Sequence, residues 1–491
     1  MQLTPIQVDQ VLRENGLLIG IKNFEKLTDT FEDISYDSRE AKANDIFVAK
    51  GSDFELYINQ AIKKEIGAAV TLPTDVEIQI PQFIVNDIDK SLAVLSAAYF
   101  EYPNQELTII GITGTKGKTS TAYMTYQLLR EITNNKTALF STIDRVTGPN
   151  ASDIKKSELT TPESYQLFKD MRLAIENGMT HLVMEVSSQA YLRQRVYGIE
   201  FAIGTFLNIS DDHIGENEHK DFQEYLDCKL ELFENSKQVL INQNIKQFEQ
   251  VINKAKENIE ENDIYLFSQE NSDINYQITT KDISGSQFKI ESQKLKLKLD
   301  VELNLAGEFN IENATAAISI AQIVTGEVNQ KNIEVLKRLE IPGRMLVINK
   351  KPIAIVDYAH NGASLESLLK FASQFNNQIT LVIGATGDKG QNRRQGLAEA
   401  INQYKPKTIL TADDPGFEDP KNIAEEIASY FEDVDYQIEI DRQKAIKKAV
   451  KMTNSDGVVI IAGKGDDHYQ KIEGVDTDYP GDVFIVEKLL K

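Results

Sequence analysis

Three textures of apolar and polar positions follow one another along the 491 residues. Through residues 1–106 the apolar runs are short and mixed. The run at 45–49 predicts a strand, the pattern over 57–66 a helix, and 67–70 a further strand. Glu101-Tyr102-Pro103-Asn104 reads as a linker, because Pro and Asn break the preceding helix. Through 107–345 strand-like runs (107–113, 181–187, 201–208) alternate with helical patterns (119–132, 165–177), which predicts a largely parallel, doubly wound sheet. Between 275 and 305 the period drops to two. Leu295, Leu297, Leu299, Val301, Leu303 and Leu305 alternate with mostly polar residues, after a turn signal at Ser284-Gly285-Ser286. A small antiparallel element is expected there, then a helix over 311–324. Beyond Pro342-Gly343-Arg344 a third α/β pattern begins, with strands at 353–357, 379–384, 408–412 and 458–463.

The predicted fold class is therefore α/β with three domains. They are a small N-terminal α/β domain (1–106), a central parallel-sheet domain with a small antiparallel element (107–345), and a C-terminal Rossmann-like domain (346–491).

At the end of the first central strand the pattern turns on glycines: Gly114-Thr115-Lys116-Gly117-Lys118-Thr119-Ser120, running into a helix. Strand, glycine loop and helix N-terminus together form a phosphate cradle. Backbone N–H groups face the anion, Lys118 adds a charge, and a hydroxyl can hold Mg²⁺. The strict Walker A pattern needs a glycine where Ile112 stands, so it fails. The plain alternative is an ordinary strand-to-helix turn.

Composition narrows the partners. A hydrophobic content of 41% and a charged content of 26% are those of a globular chain. The net charge of -22 argues against nucleic acid, since no basic excess meets phosphates. A single cysteine, Cys228, rules out a disulfide framework within the chain. The first residues lack a basic segment followed by an apolar core, and no apolar run reaches membrane-spanning length. The expectation is a cytoplasmic protein with no membrane partner.

Other motifs sit after strands, where open α/β sheets place ligands. Met184-Glu185-Val186-Ser187-Ser188 ends an apolar strand, and a carboxylate there suits nucleotide-bound Mg²⁺ or is simply a satisfied strand-end acid. Arg193 and Arg195 follow and can meet phosphate or carboxylate, or lie on the surface. Asn208-Ile209-Ser210-Asp211-Asp212-His213 concentrates an amide, carboxylates and an imidazole at a strand end, for a metal, a catalytic or a structural role. Thr160-Thr161-Pro162 precedes a helix, where Thr161 reads best as an N-cap with proline at the first helical position. Asp37-Ser38-Arg39 reads as a solvated turn. Lys229 looks by composition like any helix lysine.

Taken in order, these motifs resemble the Mur ligase family, ATP-dependent amide-bond-forming enzymes of peptidoglycan assembly. The likeness runs over Gly114 to Ser120, Glu185, Asn208 to His213, Lys229, Gly307-Glu308-Phe309-Asn310 to Asn313, Gly343-Arg344 and Asp357-Tyr358-Ala359-His360. Within the family it is similar above all to the members that add the third peptide residue. The resemblance implies that the N-terminal domain holds the UDP group and that Gly114 to Ser120 bind ATP, with Lys118 on its phosphates. Asn313 would contact adenine, Arg344 phosphate and Asp357 ribose, placing ATP between the central and C-terminal domains. Thr119 and Glu185 would hold one Mg²⁺ and His213 a second. Lys229 would be carboxylated by CO₂ to N6-carboxylysine, a carbamate supporting that second ion. Ser38, Thr160, Thr161, Ser187 and Arg195 match positions that hold the acceptor, UDP-N-acetylmuramoyl-L-alanyl-D-glutamate. The protein would act as a monomer.

The amino acid is the finer question. Diaminopimelate-adding members carry Asp-Asn-Pro-Arg, whose arginine holds the distal carboxylate; here the loop is Asp413-Asp414-Pro415-Gly416. An acidic pocket without that cation suits the ε-ammonium of L-lysine. Lys389 or Arg393 would hold the α-carboxylate and Asp467 an ammonium group. The alternatives are a plain Asp-Pro-Gly turn, a sister ligase using diaminopimelate, ornithine or another amine, and a catalytically silent nucleotide-binding regulator. A folylpolyglutamate synthetase is disfavoured by the N-terminal domain. Two departures from the family bear on the amino acid: Gly463-Lys464-Gly465-Asp466-Asp467 where Gly-Lys-Gly-His-Glu is usual, and Gly384-Ala385-Thr386-Gly387-Asp388-Lys389 where Gly-x-Gly-Gly-Asp-Arg is.

Overall fold

The computed structural model describes all residues except 52, 211–214, 216–218, 377 and 388–390, and the side chains of 391 and 392. By compactness the chain forms two units. One is Met1–Phe267 with Ala316–Glu327, the other Ser268–Thr315 with Val328–Lys491. The fold is α/β, with a parallel sheet in each of the three predicted regions.

In the first unit the N-terminal sheet runs in the order Leu18–Lys22, Gln82–Val85, Ala68–Thr71, Ile46–Val48, Ile34–Ser35. Only the first pair is antiparallel. The helix expected over 57–66 is Phe54–Ile62, burying Ile58 and Ala61. It stops short because Glu65 turns the chain with φ +61°, which hands Ile66 to the approach of the next strand.

The second sheet of this unit runs Ile264–Ser268, Val239–Asn242, Ile203–Phe206, Thr108–Thr113, His181–Glu185, Thr137–Phe140, all parallel. Two short antiparallel strands, Asp144–Val146 and Ile154–Lys156, which the apolar pattern did not announce, close its edge. Register matters more than order here. Ile112 lies opposite Glu185, and Thr113 opposite Phe206. The three loops bearing Gly114, Val186 and Leu207 thus leave the sheet side by side, at the kind of crevice where α/β sheets bind ligands. The strand Thr108–Thr113 tolerates Gly111 for a packing reason: a Cβ there would lie 2.8 Å from the Phe201 ring and 3.1 Å from Leu232.

One apolar core joins both sheets of the unit. It runs from Leu3, Phe31, Phe83 and Leu95 through Ile109 and Phe140 to Phe168 and Phe201. A second cluster, with Phe206, Tyr225, Phe233 and Val251, fills the other face of the parallel sheet.

In the second unit Ile274–Asp282, Gly285–Ser292 and Leu297–Leu303 form the antiparallel element. Leu297, Leu299, Val301 and Leu303 are buried and the residues between them exposed, as their period of two predicts. The helix foreseen over 311–324 is Glu308–Thr325, so Gly307 (φ +97°) stands just before its first residue. The last sheet runs Leu346–Ile348, Ile353–Asp357, Val458–Ala462, Ile379–Ile383, Lys407–Leu410, Tyr436–Ile438, parallel after its first pair. A hairpin, Tyr469–Ile472 with Val475–Asp478, follows it. Among the described residues no helix is long and apolar enough to cross a membrane.

Candidate active site

The glycine loop is held in place by the next strand end. Asn208 takes the Thr115 amide on its carbonyl (3.1 Å) and the Lys116 amide on Oδ1 (2.9 Å), and its Nδ2 donates to the Lys116 carbonyl (3.1 Å). Tyr225 Oη donates to Thr115 Oγ1 (3.1 Å). Gly114 has φ +153° and Gly117 φ +80°, conformations open to glycine. A Cβ on Gly114 would stand 3.1 Å from Leu207 and 3.2 Å from the Lys116 carbonyl. The helix Lys118–Ile132 begins directly after Gly117, with Thr119 and Ser120 buried in its first turn. Lys118 folds back so that Nζ donates to the carbonyls of Gly114 (2.8 Å) and Thr115 (3.2 Å).

Lys229 lies in the helix Phe222–Leu230, and its side chain is buried. Its Nζ donates to the Gly114 carbonyl (2.9 Å), stands 3.4 Å from Thr113 Oγ1, and sits 4.8 Å from the Tyr225 ring centre. The lysine that composition could not distinguish therefore reaches the base of the glycine loop. Asp211, Asp212 and His213 lie outside the described residues. Among the described residues no three His, Cys, Asp or Glu side chains gather as a metal site.

Glu185 is buried at its strand end. The Thr142 amide donates to its Oε1 (2.7 Å), while the Thr142 hydroxyl lies 3.1 Å from both Glu185 Oε2 and Thr160 Oγ1. Thr161 is not a helix cap, which corrects the expectation. The helix is Ser164–Glu176 and its cap position is Glu163. The Thr161 hydroxyl instead donates to the Glu185 carbonyl (2.9 Å) and accepts the Ser187 amide (3.0 Å), tying two loops together. Ser187 caps the short helix Ser188–Leu192 through the Ala190 amide (3.2 Å). Arg193 is exposed, whereas Arg195 meets a carboxylate: its Nε donates to Glu163 Oε1 (2.7 Å) and its Nη1 to the Thr161 carbonyl (3.2 Å). Lys50 binds the other Glu163 oxygen (2.7 Å) and Asp89 (2.8 Å). Burial pushes the Glu163 carboxyl up, but Lys50 and Arg195 more than offset this and hold it below the ordinary value. Ser38 is buried and donates to Gln60 (2.7 Å), while Arg39 pairs with Asp37 on the surface.

In the second unit Arg344 stacks 4.7 Å from the centre of the Tyr358 ring. Asp357 accepts the amides of Met345 and Ala359, each at 2.8 Å. Burial raises its carboxyl, and Arg344 opposes the rise. Asn313 is buried, with Nδ2 3.4 Å from Asn310 Oδ1.

The loops after the strands Lys407–Leu410 and Val458–Ala462 meet. Lys464, buried, places Nζ 2.7 Å from Asp414 Oδ1, 3.7 Å from Asp413 Oδ1 and 3.9 Å from Asp467 Oδ2. The negative charge that the sequence offers to an incoming ammonium is thus partly met from within the chain. Gly416 (φ +60°) bridges to the hairpin: its amide donates to the Lys471 carbonyl (3.1 Å), and its carbonyl accepts the Glu473 amide (2.7 Å). A Cβ on Gly387 would collide with the Pro415 carbonyl. Lys389 lies outside the described residues; Arg393 is half-buried.

Residues 112–321 match the Mur ligase middle domain, and residues 343–465 the Mur ligase, glutamate ligase domain. A UDP-N-acetylmuramyl-tripeptide synthetase of Ligilactobacillus salivarius (strain UCC118) is 43% identical over 100% of this chain and 99% of its own. The chain belongs to the Mur ligase family. A UDP-N-acetylmuramoyl-L-alanyl-D-glutamate--L-lysine ligase of Streptococcus sanguinis (strain SK36) is 42% identical to this Mur ligase over 94% of the chain and 93% of its own. A solved UDP-N-acetylmuramoyl-L-alanyl-D-glutamate--2,6-diaminopimelate ligase superposes with a TM-score of 0.64 at 26% identity, covering 94% of each chain.

In the first unit of this Mur ligase the fold brings Lys118, Lys229 and the Gly114 carbonyl together, and joins Glu185, Thr160, Thr161 and Ser187 through shared hydrogen bonds. Sequence reasoning missed the supports. Thr142 carried no motif of its own. Tyr225 and Lys50 stood in no motif either. Lys464 was noted only as part of a glycine motif. Asn208 was the one support with a signal, being an amide at a strand end beside acids.

Proposed function

We propose that this Mur ligase adds L-lysine to UDP-N-acetylmuramoyl-L-alanyl-D-glutamate at the expense of ATP. The observation that carries the reading is the convergence of Lys118 and Lys229 on one glycine loop. It occurs in a chain similar over almost its whole length to a relative named for that reaction. Gly416, where an arginine would meet a second carboxylate, supports lysine over diaminopimelate.

A carboxylate acylates poorly. Its oxygen attacks the γ-phosphorus of ATP, ADP leaves, and an acyl phosphate forms. The lysine amine then attacks the acyl carbon, loses a proton, and the tetrahedral intermediate expels phosphate. Gly114 to Ser120 cradle the phosphates with loop and helix N–H groups, and Lys118 exchanges its loop carbonyls for phosphate oxygens. Ser38, Thr160, Thr161, Ser187 and Arg195 hold the UDP-dipeptide; Arg195 is oriented for this by Glu163 and Lys50. Asn313, Arg344 and Asp357 hold the nucleotide, and Asp413, Asp414, Pro415, Gly416, Asp467 and Lys389 the amino acid.

The donors present fit Mg²⁺. Glu185 offers a carboxylate oriented by Thr142, in strand register with the phosphate loop, and Thr119 offers a hydroxyl; nucleotide-bound Mg²⁺ needs few protein ligands. Thr119 and Glu185 would hold one ion, His213 and Lys229 a second. Bound Mg²⁺ offsets the repulsion among the phosphate oxygens and the acceptor carboxylate. The Lys229 amine, buried beside the Gly114 carbonyl, would add to CO₂ and lose a proton, giving the anionic N6-carboxylysine. The division at 106 and 345 and a monomeric, cytoplasmic enzyme complete the reading.

Phosphate release with ATP, Mg²⁺ and the UDP-dipeptide, across a panel of amines, tests it. Turnover is expected with L-lysine. Turnover with diaminopimelate but not lysine sinks the specificity, and no turnover with any amine favours a silent regulator.

A further inference from the structure

The loop after the strand Val458–Ala462 carries a lysine that the proposed chemistry does not use. Lys464 is 1% exposed, so its ammonium has given up water and needs carboxylates close by. Three stand round it from two loops: Asp414 at 2.7 Å, Asp413 at 3.7 Å and Asp467 at 3.9 Å, with the Tyr469 ring centre at 4.8 Å. Asp414 Oδ1 also accepts the Lys471 amide (2.9 Å), and the Asp414 carbonyl accepts the Gly387 amide (2.8 Å). The backbone on both sides of the lysine is closely packed. Gly463 before it (φ +114°) has no room for a Cβ beside Asp413 Oδ2. Gly465 after it (φ +55°) would put a Cβ 2.7 Å from the Gly343 carbonyl. Asp413 Oδ2 is buried with no hydrogen-bond partner. Burial disfavours its charge, and Arg442 and Lys464 act against that.

We propose that Lys464 is a positioning residue for the amino-acid substrate, an internal ammonium that ties the Asp413–Asp414 loop to the Asp467 loop and holds their carboxylates in one arrangement. This rests on reading those loops as the amino-acid site. Three carboxylates around one ammonium leave the site net negative, which still favours a diamino acid. Because Asp414 Oδ1 is engaged by Lys464 and the Lys471 amide, the distal ammonium of the substrate meets the remaining negative charge of the cluster. Without Lys464 the carboxylates repel one another and the two loops lose their common anchor.

Steady-state kinetics of Lys464→Met and Lys464→Arg test this, with wild-type turnover across the amine panel measured first. Lys464→Met should raise KM for lysine about ten-fold or more and leave KM for ATP and for the UDP-dipeptide within about two-fold. Lys464→Arg keeps the charge and should give an intermediate KM for lysine. Melting temperature and ADP binding of each variant report folding. Should Lys464→Met not fold, Lys464→Arg carries the test, since a guanidinium cannot reproduce the 2.7 Å contact in the same place. An unchanged or lowered KM for lysine in a folded variant overturns the proposal, as does an equal loss for all three substrates. Absence of wild-type turnover with every amine overturns the functional reading itself, and this inference with it.

Discussion

Lys229 changes meaning most between chain and fold. In sequence it is one helix lysine among many; in the structure it is buried against the Gly114 carbonyl. On the proposed carboxylation, Lys229→Ala should lose most activity, and short carboxylates added to the assay should restore part of it by standing in for the proposed carbamate. Full activity in the untreated variant removes the role. Lys118 is the charge poised over the loop, so Lys118→Met should lower kcat by about a hundred-fold or more while the UDP-dipeptide still binds; calorimetry with the dipeptide alone separates the two effects. Asp413 makes a prediction about pH. Burial pushes its carboxyl up to about 6 from 3.8, against the pull of Arg442 and Lys464. A folded value above the unfolded one means that the fold holds this proton more tightly than the open chain. The contribution is complete below about pH 4 and is lost as pH rises through about 6. Asp413→Asn does not titrate. Its melting temperature relative to wild type should therefore rise between pH 4 and 6 and level off above, and a constant difference across that window contradicts the assignment.

At the scale of elements, parallel register does the assembling. The strands Thr108–Thr113, His181–Glu185 and Ile203–Phe206 end together, so three loops far apart in sequence share one edge. Asn208 turns that proximity into loop geometry by holding Thr115 and Lys116. Asn208→Ala should raise KM for ATP several-fold more than KM for the UDP-dipeptide, and cost about 1–2 kcal/mol of stability through two lost hydrogen bonds. Equal rises in both KM values contradict a local role. Elements were legible where the apolar period is strong, and the alternation over Leu297 to Leu303 appears unchanged as alternating burial; the short parallel strands Thr137–Phe140, Val239–Asn242 and Ile264–Ser268 were not foreseen, since four or five residues carry little period. The Thr161 cap was misread because proline after threonine is good cap chemistry locally, while the Glu185 carbonyl and Ser187 amide that claim its hydroxyl are distant in sequence.

At the scale of the molecule, the three textures of the sequence become two compact units. One core passes from Leu3 and Phe83 to Ile109 and Phe168, so the N-terminal sheet does not bury its apolar face alone. A chain beginning at residue 107 should therefore expose that face and aggregate or melt far below the whole protein. A soluble, cooperatively folded fragment with an undiminished melting temperature contradicts the shared core.

Period, glycine placement and motif order were enough for the α/β class, the glycine turn from strand to helix and the family, because each is written in neighbouring residues or in spacings a short element imposes. The partners of buried charges were not written there. That Lys229 reaches Gly114, that Glu163 links Lys50 to Arg195, and that Lys464 sits among Asp413, Asp414 and Asp467 depends on which loops the sheets bring together. A buried charge takes its partner from whatever the fold places within a few ångströms, and only the folded chain decides that.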